Sequence, residues 1–187
     1  MKFKSNLLIE DLIEHCRKNM NEAQAMSDLP LDILNHKETP EKWSALECLE
    51  HLNRYGDFYI PEINNRIKQS RFKADEWFKS GLRGNYFANS VKPREKLNKM
   101  NTFTNMNPVG SSLDKTTVDR FIDQQKQKIE LLNASREVSL NKVKTAISIS
   151  KIIKLKLGDT FRVVIYHNER HIVQAKRAIE QVSALSV

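Results

Sequence analysis

With 187 residues, 40% of them hydrophobic and 29% charged, the chain suits a single domain, 1–187, with an ordinary hydrophobic core rather than a disordered segment. No apolar run approaches the roughly 20 residues needed to cross a bilayer, which excludes a spanning helix. The net charge of +8 raises the question of a nucleic-acid partner, but the basic residues are spread along the chain. Their densest group, Lys151, Lys154 and Lys156, alternates with apolar residues, so solvated faces explain the charge better.

Only five glycines and five prolines occur, which points to long helices. The N-terminal stretch is broken by Glu10, Asp11 and Glu14, so it does not read as a signal peptide. A first amphipathic helix is predicted from about Leu7 to Met26, with Leu8, Leu12, Cys16, Met20 and Ala23 at helical intervals. Pro30 and Pro40 bracket a polar connection. The second helix is expected to start at Thr39-Pro40-Glu41, where threonine caps, proline suits the first helical position and glutamate complements the dipole. It continues through Ala45, Leu49, Leu52, Tyr59, Ile63 and Ile67.

From about Arg71 to Ser112 the periodicity fails, interrupted by Gly81, Gly84, Pro93, Pro108 and Gly110. This stretch reads as a long crossing connection pinned by Trp77, Phe78, Tyr86 and Phe87. A third helix follows over about Thr117 to Glu137. The β-branched stretch from Val143 to Leu157 suits partly extended backbone; Gly158 ends it, and Asp159 or Thr160 caps a last helix from Phe161 to about Val182. The sum is an all-α four-helix bundle with a long connection between helices 2 and 3. Cys16 and Cys48 both fall on helices, which argues against a disulfide framework and for a cytoplasmic location.

Three of the five histidines sit in a suggestive pattern. His167 and His171, four apart, project from one helical face about 5–6 Å from each other. At about 100° per residue they lie at the border of that helix's apolar stripe, in line with Thr160, Val164, Gln174 and Ala178. His51 lies at the border of the second helix's stripe, in line with Ser44, Cys48, Tyr55 and Phe58. Three imidazoles make a metal site with open positions; the alternative is polar residues closing a core edge by hydrogen bonds. A zincin motif is excluded because Asn168, not glutamate, follows His167, and Glu169 points to nearly the opposite side of the helix. A carboxylate-bridged di-metal site is excluded because no inward Glu-x-x-His pair exists. Zinc, nickel, copper and iron all suit three imidazoles.

Around this triad, Glu47 is expected to be solvent-exposed, although its place one turn before His51 also offers a base or an outer partner to the ligand. Gln174 could orient a ligand or water. Cys48 reads as a small buried hydrophobe. His15 and His36 are left out of the site.

The segments Trp43-Ser44-Ala45-Leu46-Glu47-Cys48-Leu49-Glu50-His51-Leu52-Asn53, Leu157-Gly158-Asp159 and His167-Asn168-Glu169-Arg170-His171-Ile172-Val173-Gln174 together resemble the DinB/YfiT-like superfamily of four-helix-bundle metal proteins. The Trp-Ser start, the single histidine of the second helix and the His-x-x-x-His pair of the fourth agree in order and spacing. Only the stretch from Arg71 to Ser112 matches poorly. The resemblance implies an up-down-down-up bundle and a homodimer. It makes His51, His167 and His171 ligands of one divalent transition metal, zinc or nickel foremost, with a low-molecular-weight thiol as a second cofactor. Members that are understood include thiol-dependent transferases and isomerases. The expected function is therefore metal-dependent thiol transfer or hydrolysis of a small-molecule substrate, with neither membrane nor nucleic acid as partner. A non-catalytic metal-binding stress or regulatory protein is the alternative, and a nucleic-acid binder ranks below it.

Overall fold

A computed structural model describes residues 1–93, 102–148 and 150–185; the side chains of 151 and 183–185 are outside the description. Strand β1 (Lys2–Lys4) runs directly into helix α1 (Ser5–Ser27), whose buried face carries Leu8, Ile9, Leu12, Cys16 and Ala23 at the predicted spacing. After the single turn of α2 (Leu31–Asn35), helix α3 (Ala45–Lys68) begins later than expected. Thr39-Pro40 is not its cap. Ser44 is, because its hydroxyl accepts the Glu47 N–H while the Glu47 carboxylate accepts the Ser44 N–H, satisfying two otherwise orphaned donors at once.

The stretch from Arg71 to Ser112 is more ordered than the sequence suggests. It holds strand β2 (Trp77–Lys79), helix α4 (Leu82–Val91) and a short 3-10 turn, Thr104–Met106; residues 94–101 of it lie outside the described residues. Helix α4 escapes periodicity analysis because it buries only Gly84, Ala88 and Val91, residues too small to mark a stripe. Strand β2 pairs antiparallel with β1 in the register Lys2↔Lys79, Phe3↔Phe78, Lys4↔Trp77. Of the four expected anchors only Phe78 is fully buried; Trp77 and Tyr86 are exposed.

Helix α5 (Thr116–Ala134) ends in a 3-10 turn, Ser135–Glu137. The stretch expected to be extended forms a hairpin of β3 (Lys144–Ile147) and β4 (Ser150–Lys156). Helix α6 (Leu157–Leu185) starts four residues earlier than predicted. Gly158 does not stop anything here: it lies in the first turn, where a Cβ would come 2.8 Å from the Phe78 ring. Asp159 is not a cap either. Its carboxylate accepts the Gly81 N–H at 2.8 Å and the Ser80 hydroxyl, and pairs with Arg162 at 3.3 Å, both side chains 1% exposed. Gly84 completes the close approach, since a Cβ there would lie 2.3 Å from the Asp159 carboxylate. A buried charge pair of this kind is tolerated only when its hydrogen-bonding groups find partners; both Asp159 oxygens do, while Arg162 Nε is left without one.

The protein is thus mostly helical, with two small two-stranded sheets. Helices α1 and α3 each pack against both α5 and α6, and α4 packs on α6. One apolar cluster gathers Leu12, Tyr59, Phe78, Phe161 and Ile165; a second gathers Leu46, Leu49, Phe121 and Ile172. Because Phe78 joins β2 to the α6 N-terminus, Phe78→Ala should cost about 3–5 kcal/mol. Urea denaturation measures this, and a loss below about 1 kcal/mol, the scale of a surface change, would show that the anchor lies elsewhere.

Candidate metal centre

His51 projects from the second turn of α3, and His167 and His171 from successive turns of α6, so the site depends on the packing of these two helices. The packing brings all three together. Their candidate ligand nitrogens lie within 4.8 Å of one another, with His167 Nε2 3.4 Å from His51 Nε2 and 3.1 Å from His171 Nε2. Tetrahedral zinc bonded at about 2.0–2.1 Å places its nitrogen ligands about 3.3 Å apart. The two spacings to His167 fit such an ion.

Tautomers reinforce the fit. The Nδ1–H of His51 donates to the Met106 carbonyl at 2.7 Å, and the Nδ1–H of His171 donates to Gln174 Oε1 at 2.9 Å. With those protons on Nδ1, both Nε2 atoms turn their lone pairs toward His167. A proton on His167 Nε2 can satisfy only one of those two lone pairs, whereas a cation between the three rings engages all of them. Nor can protons fill that role easily: burial lowers the pKa of His51 from 6.5 to about 4, and holds His167 and His171 well below their ordinary value, with the neighbouring imidazoles adding to the effect.

Rings enclose the triad. Trp43, just before the helix cap, stands 4.7 Å from His51 and 5.7 Å from His171 by ring centroid. Tyr55, one turn beyond His51, stands 4.9 Å from His51 and 4.8 Å from His167. The Met106 carbonyl is held in place by Arg54, which donates to Asn107 O at 2.6 Å and to the Ser111 hydroxyl at 2.9 Å. A cavity of about 1230 Å³ opens beside the histidines, walled by Tyr59, Phe87, Val91 and Arg170 among others.

Among the flanking residues, Gln174 does orient a histidine. Glu47 is neither exposed nor a base: it is 6% exposed and its carboxylate is taken up by the Ser44 N–H and Lys37, because the helix cap needs it. Cys48 is fully buried, and burial pushes its thiol pKa up, as befits a small hydrophobe. Glu169 faces away and pairs with His15 at 3.3 Å. Sequence reasoning missed Met106, which acts through its backbone and so leaves no side-chain signal. It gave no role to Trp43 or Tyr55, although Tyr55 stood in line with His51.

A family model described as the DinB superfamily matches residues 12–175. The chain belongs to the DinB superfamily. All three histidines lie within the matched region, so in this DinB protein the triad is carried by the family domain and not by an appended segment. No curated protein and no solved structure matches the chain.

The lowered histidine pKa values set a pH dependence. Well above pH 6.5 the imidazoles are neutral whether folded or unfolded, and contribute nothing to it. As pH falls from 6.5 toward 4, the unfolded chain takes up protons that the folded site resists, so stability falls with pH. Chelator-treated protein should therefore lose stability across that window more steeply than a His51→Ala/His167→Ala variant, by denaturant titration at several pH values. Equal slopes would mean that the buried triad does not govern it.

Proposed function

We propose that this protein is a metal-dependent enzyme that uses an open three-histidine site for thiol transfer or hydrolysis of a small-molecule substrate. The observation that carries the reading is the convergence of the His51, His167 and His171 nitrogens at the wall of a cavity large enough for a substrate. Three protein ligands leave a coordination position open, which distinguishes a reactive site from a closed structural one. A divalent ion held there, zinc or nickel, would lower the pKa of water or of a low-molecular-weight thiol and make it nucleophilic near neutral pH.

The chain's own residues prepare that chemistry. Met106 and Gln174 hold Nδ1 protonated on two of the ligands, which presents Nε2 to the ion in a fixed orientation. Trp43 and Tyr55 exclude water from two sides of the ligands, while the cavity admits substrate beside them. Glu47 and Glu169, the acids closest in sequence to the ligands, are engaged with Lys37 and His15 and do not serve as base. The carboxylates in the cavity wall are Glu38 and Glu41, and a nucleophile that ionises on binding needs neither. We further read the four long helices as an up-down-down-up bundle and the protein as a homodimer on the strength of the family, and as cytoplasmic from its two free, buried cysteines.

Elemental analysis of purified protein beside the His51→Ala/His167→Ala variant tests the foundation. The native chain should carry about one divalent ion and the variant almost none; equal content would sink the reading. A panel of thiol-transfer and ester substrates then tests catalysis. Turnover that vanishes on chelation and returns with the metal supports an enzyme, whereas stoichiometric metal without turnover points to a binding or regulatory protein.

A further inference from the structure

Folding collects lysines that are scattered along the chain. In the sheet of β1 and β2, Lys2 stands directly opposite Lys79, and Lys4 opposite Trp77. In the hairpin of β3 and β4, Lys144 stands opposite Lys156. The two sheets adjoin, because Lys156 Nζ donates to the Lys79 carbonyl at 2.7 Å. Lys154 follows on the same outward face of β4 as Lys156, while Leu155 between them is buried. Six lysines from distant parts of the sequence thereby share one surface.

Like charges directly opposite each other across a strand pair are destabilising, and the fold relieves them only in part: Lys2 and Lys4 lie over the Trp77 ring, Lys156 donates to the Lys79 carbonyl, and Lys154 feels the Glu62 carboxylate. Among the described residues none of the six forms an ion pair, although Arg54, Arg66 and Lys176 elsewhere each find a carboxylate. Three acidic groups nearby are engaged mainly elsewhere: Asp159 by Ser80, Gly81 and Arg162, Asp75 by Ser139 and Asn141, and Glu62 by Arg66 and the Ala146 N–H, with Lys154 adding to its environment; the exposed Glu76 beside Trp77 is one acid against six lysines. A surface that concentrates unneutralised charge fits an anionic partner.

Apolar side chains project beside the lysines. Leu82 is 94% exposed and Ile152 91% exposed. Leu82 follows Gly81, against which the Lys156 side chain lies, and Ile152 shares the outward face of β4 with Lys154 and Lys156. Trp77, also exposed, carries Lys2 Nζ 4.2 Å and Lys4 Nζ 5.8 Å from its ring centre.

We propose that this face docks the protein onto an anionic membrane surface. Lysines attract acidic headgroups, and a tryptophan with projecting aliphatic residues enters the boundary between headgroups and acyl chains. Nucleic acid fits less well. Base stacking needs a free aromatic face, whereas lysine ammonium groups already lie over Trp77, and the exposed leucine and isoleucine gain nothing against phosphates. The contact is peripheral, since among the described residues no helix is long and apolar enough to cross a membrane. It departs from the expectation that the chain has no membrane partner, since the absence of a spanning apolar run says nothing of a peripheral contact.

Sedimentation of the full-length protein with vesicles tests this. At low ionic strength it should bind vesicles of equal parts phosphatidylcholine and phosphatidylglycerol at least tenfold better than phosphatidylcholine alone, and salt should weaken the binding. Lys79→Glu/Lys154→Glu should reduce that binding about tenfold or more. Leu82→Ser/Ile152→Ser should weaken it about tenfold at unchanged charge, with circular dichroism and metal content confirming that both variants fold. No preference for the acidic vesicles would overturn the proposal and leave the lysines as guards of the sheet edges against aggregation. So would tighter binding to a duplex oligonucleotide that ignores the Leu82/Ile152 substitutions.

Discussion

Three buried, neutral imidazoles whose Nε2 atoms converge constrain the rest of this protein. A buried histidine cluster is costly to protonate and costly to leave facing itself, so its surroundings must fix both tautomer and position. Met106 and Gln174 set the tautomers from opposite sides. The Ser44–Glu47 capping box sets where α3 begins, and therefore the turn from which His51 projects. Trp43, immediately before that cap, is delivered against two of the rings by the same local geometry. Ligand, cap and covering ring thus form one structural unit within nine consecutive residues of α3 and its approach.

The other helix of the site is anchored at its far end. The buried Asp159–Arg162 pair ties the first turn of α6 to Ser80, Gly81 and Asn85. Phe78 fills the space that Gly158 leaves open. These contacts seat α4 on α6, and α4 contributes Phe87 and Val91 to the cavity that opens at the histidines two turns further along. The segment between the second and third long helices is therefore part of the cavity wall rather than a mere crossing connection.

The long helices could be read from the sequence because each buries large apolar residues at a 3.6-residue period, as Leu8, Leu12 and Cys16 do in α1 and Leu49, Leu52 and Ile63 do in α3. Helix α4 could not, since its buried positions are glycine, alanine and valine. The start of α3 was misplaced because Thr39-Pro40-Glu41 and Ser44-x-x-Glu47 are both plausible caps, and only the second coincides with the packed stripe. Glu47 was misjudged for a related reason: a glutamate within a charged helix ordinarily faces solvent, but one at the third position of a capping box turns back onto the backbone.

By itself, the sequence determined the triad and its helical placement, because i and i+4 spacing is a local property that the helix converts directly into a shared face. It likewise determined that Asn168 and Glu169 could not serve a zincin site. Tertiary structure alone decided that a backbone carbonyl at Met106 would orient His51, since a carbonyl carries no residue-specific mark. It alone decided that lysines at positions 2, 4, 79, 144, 154 and 156 would meet on one face. Strand pairing joins residues by hydrogen-bond register between distant segments, and nothing in the local order of the chain encodes that register.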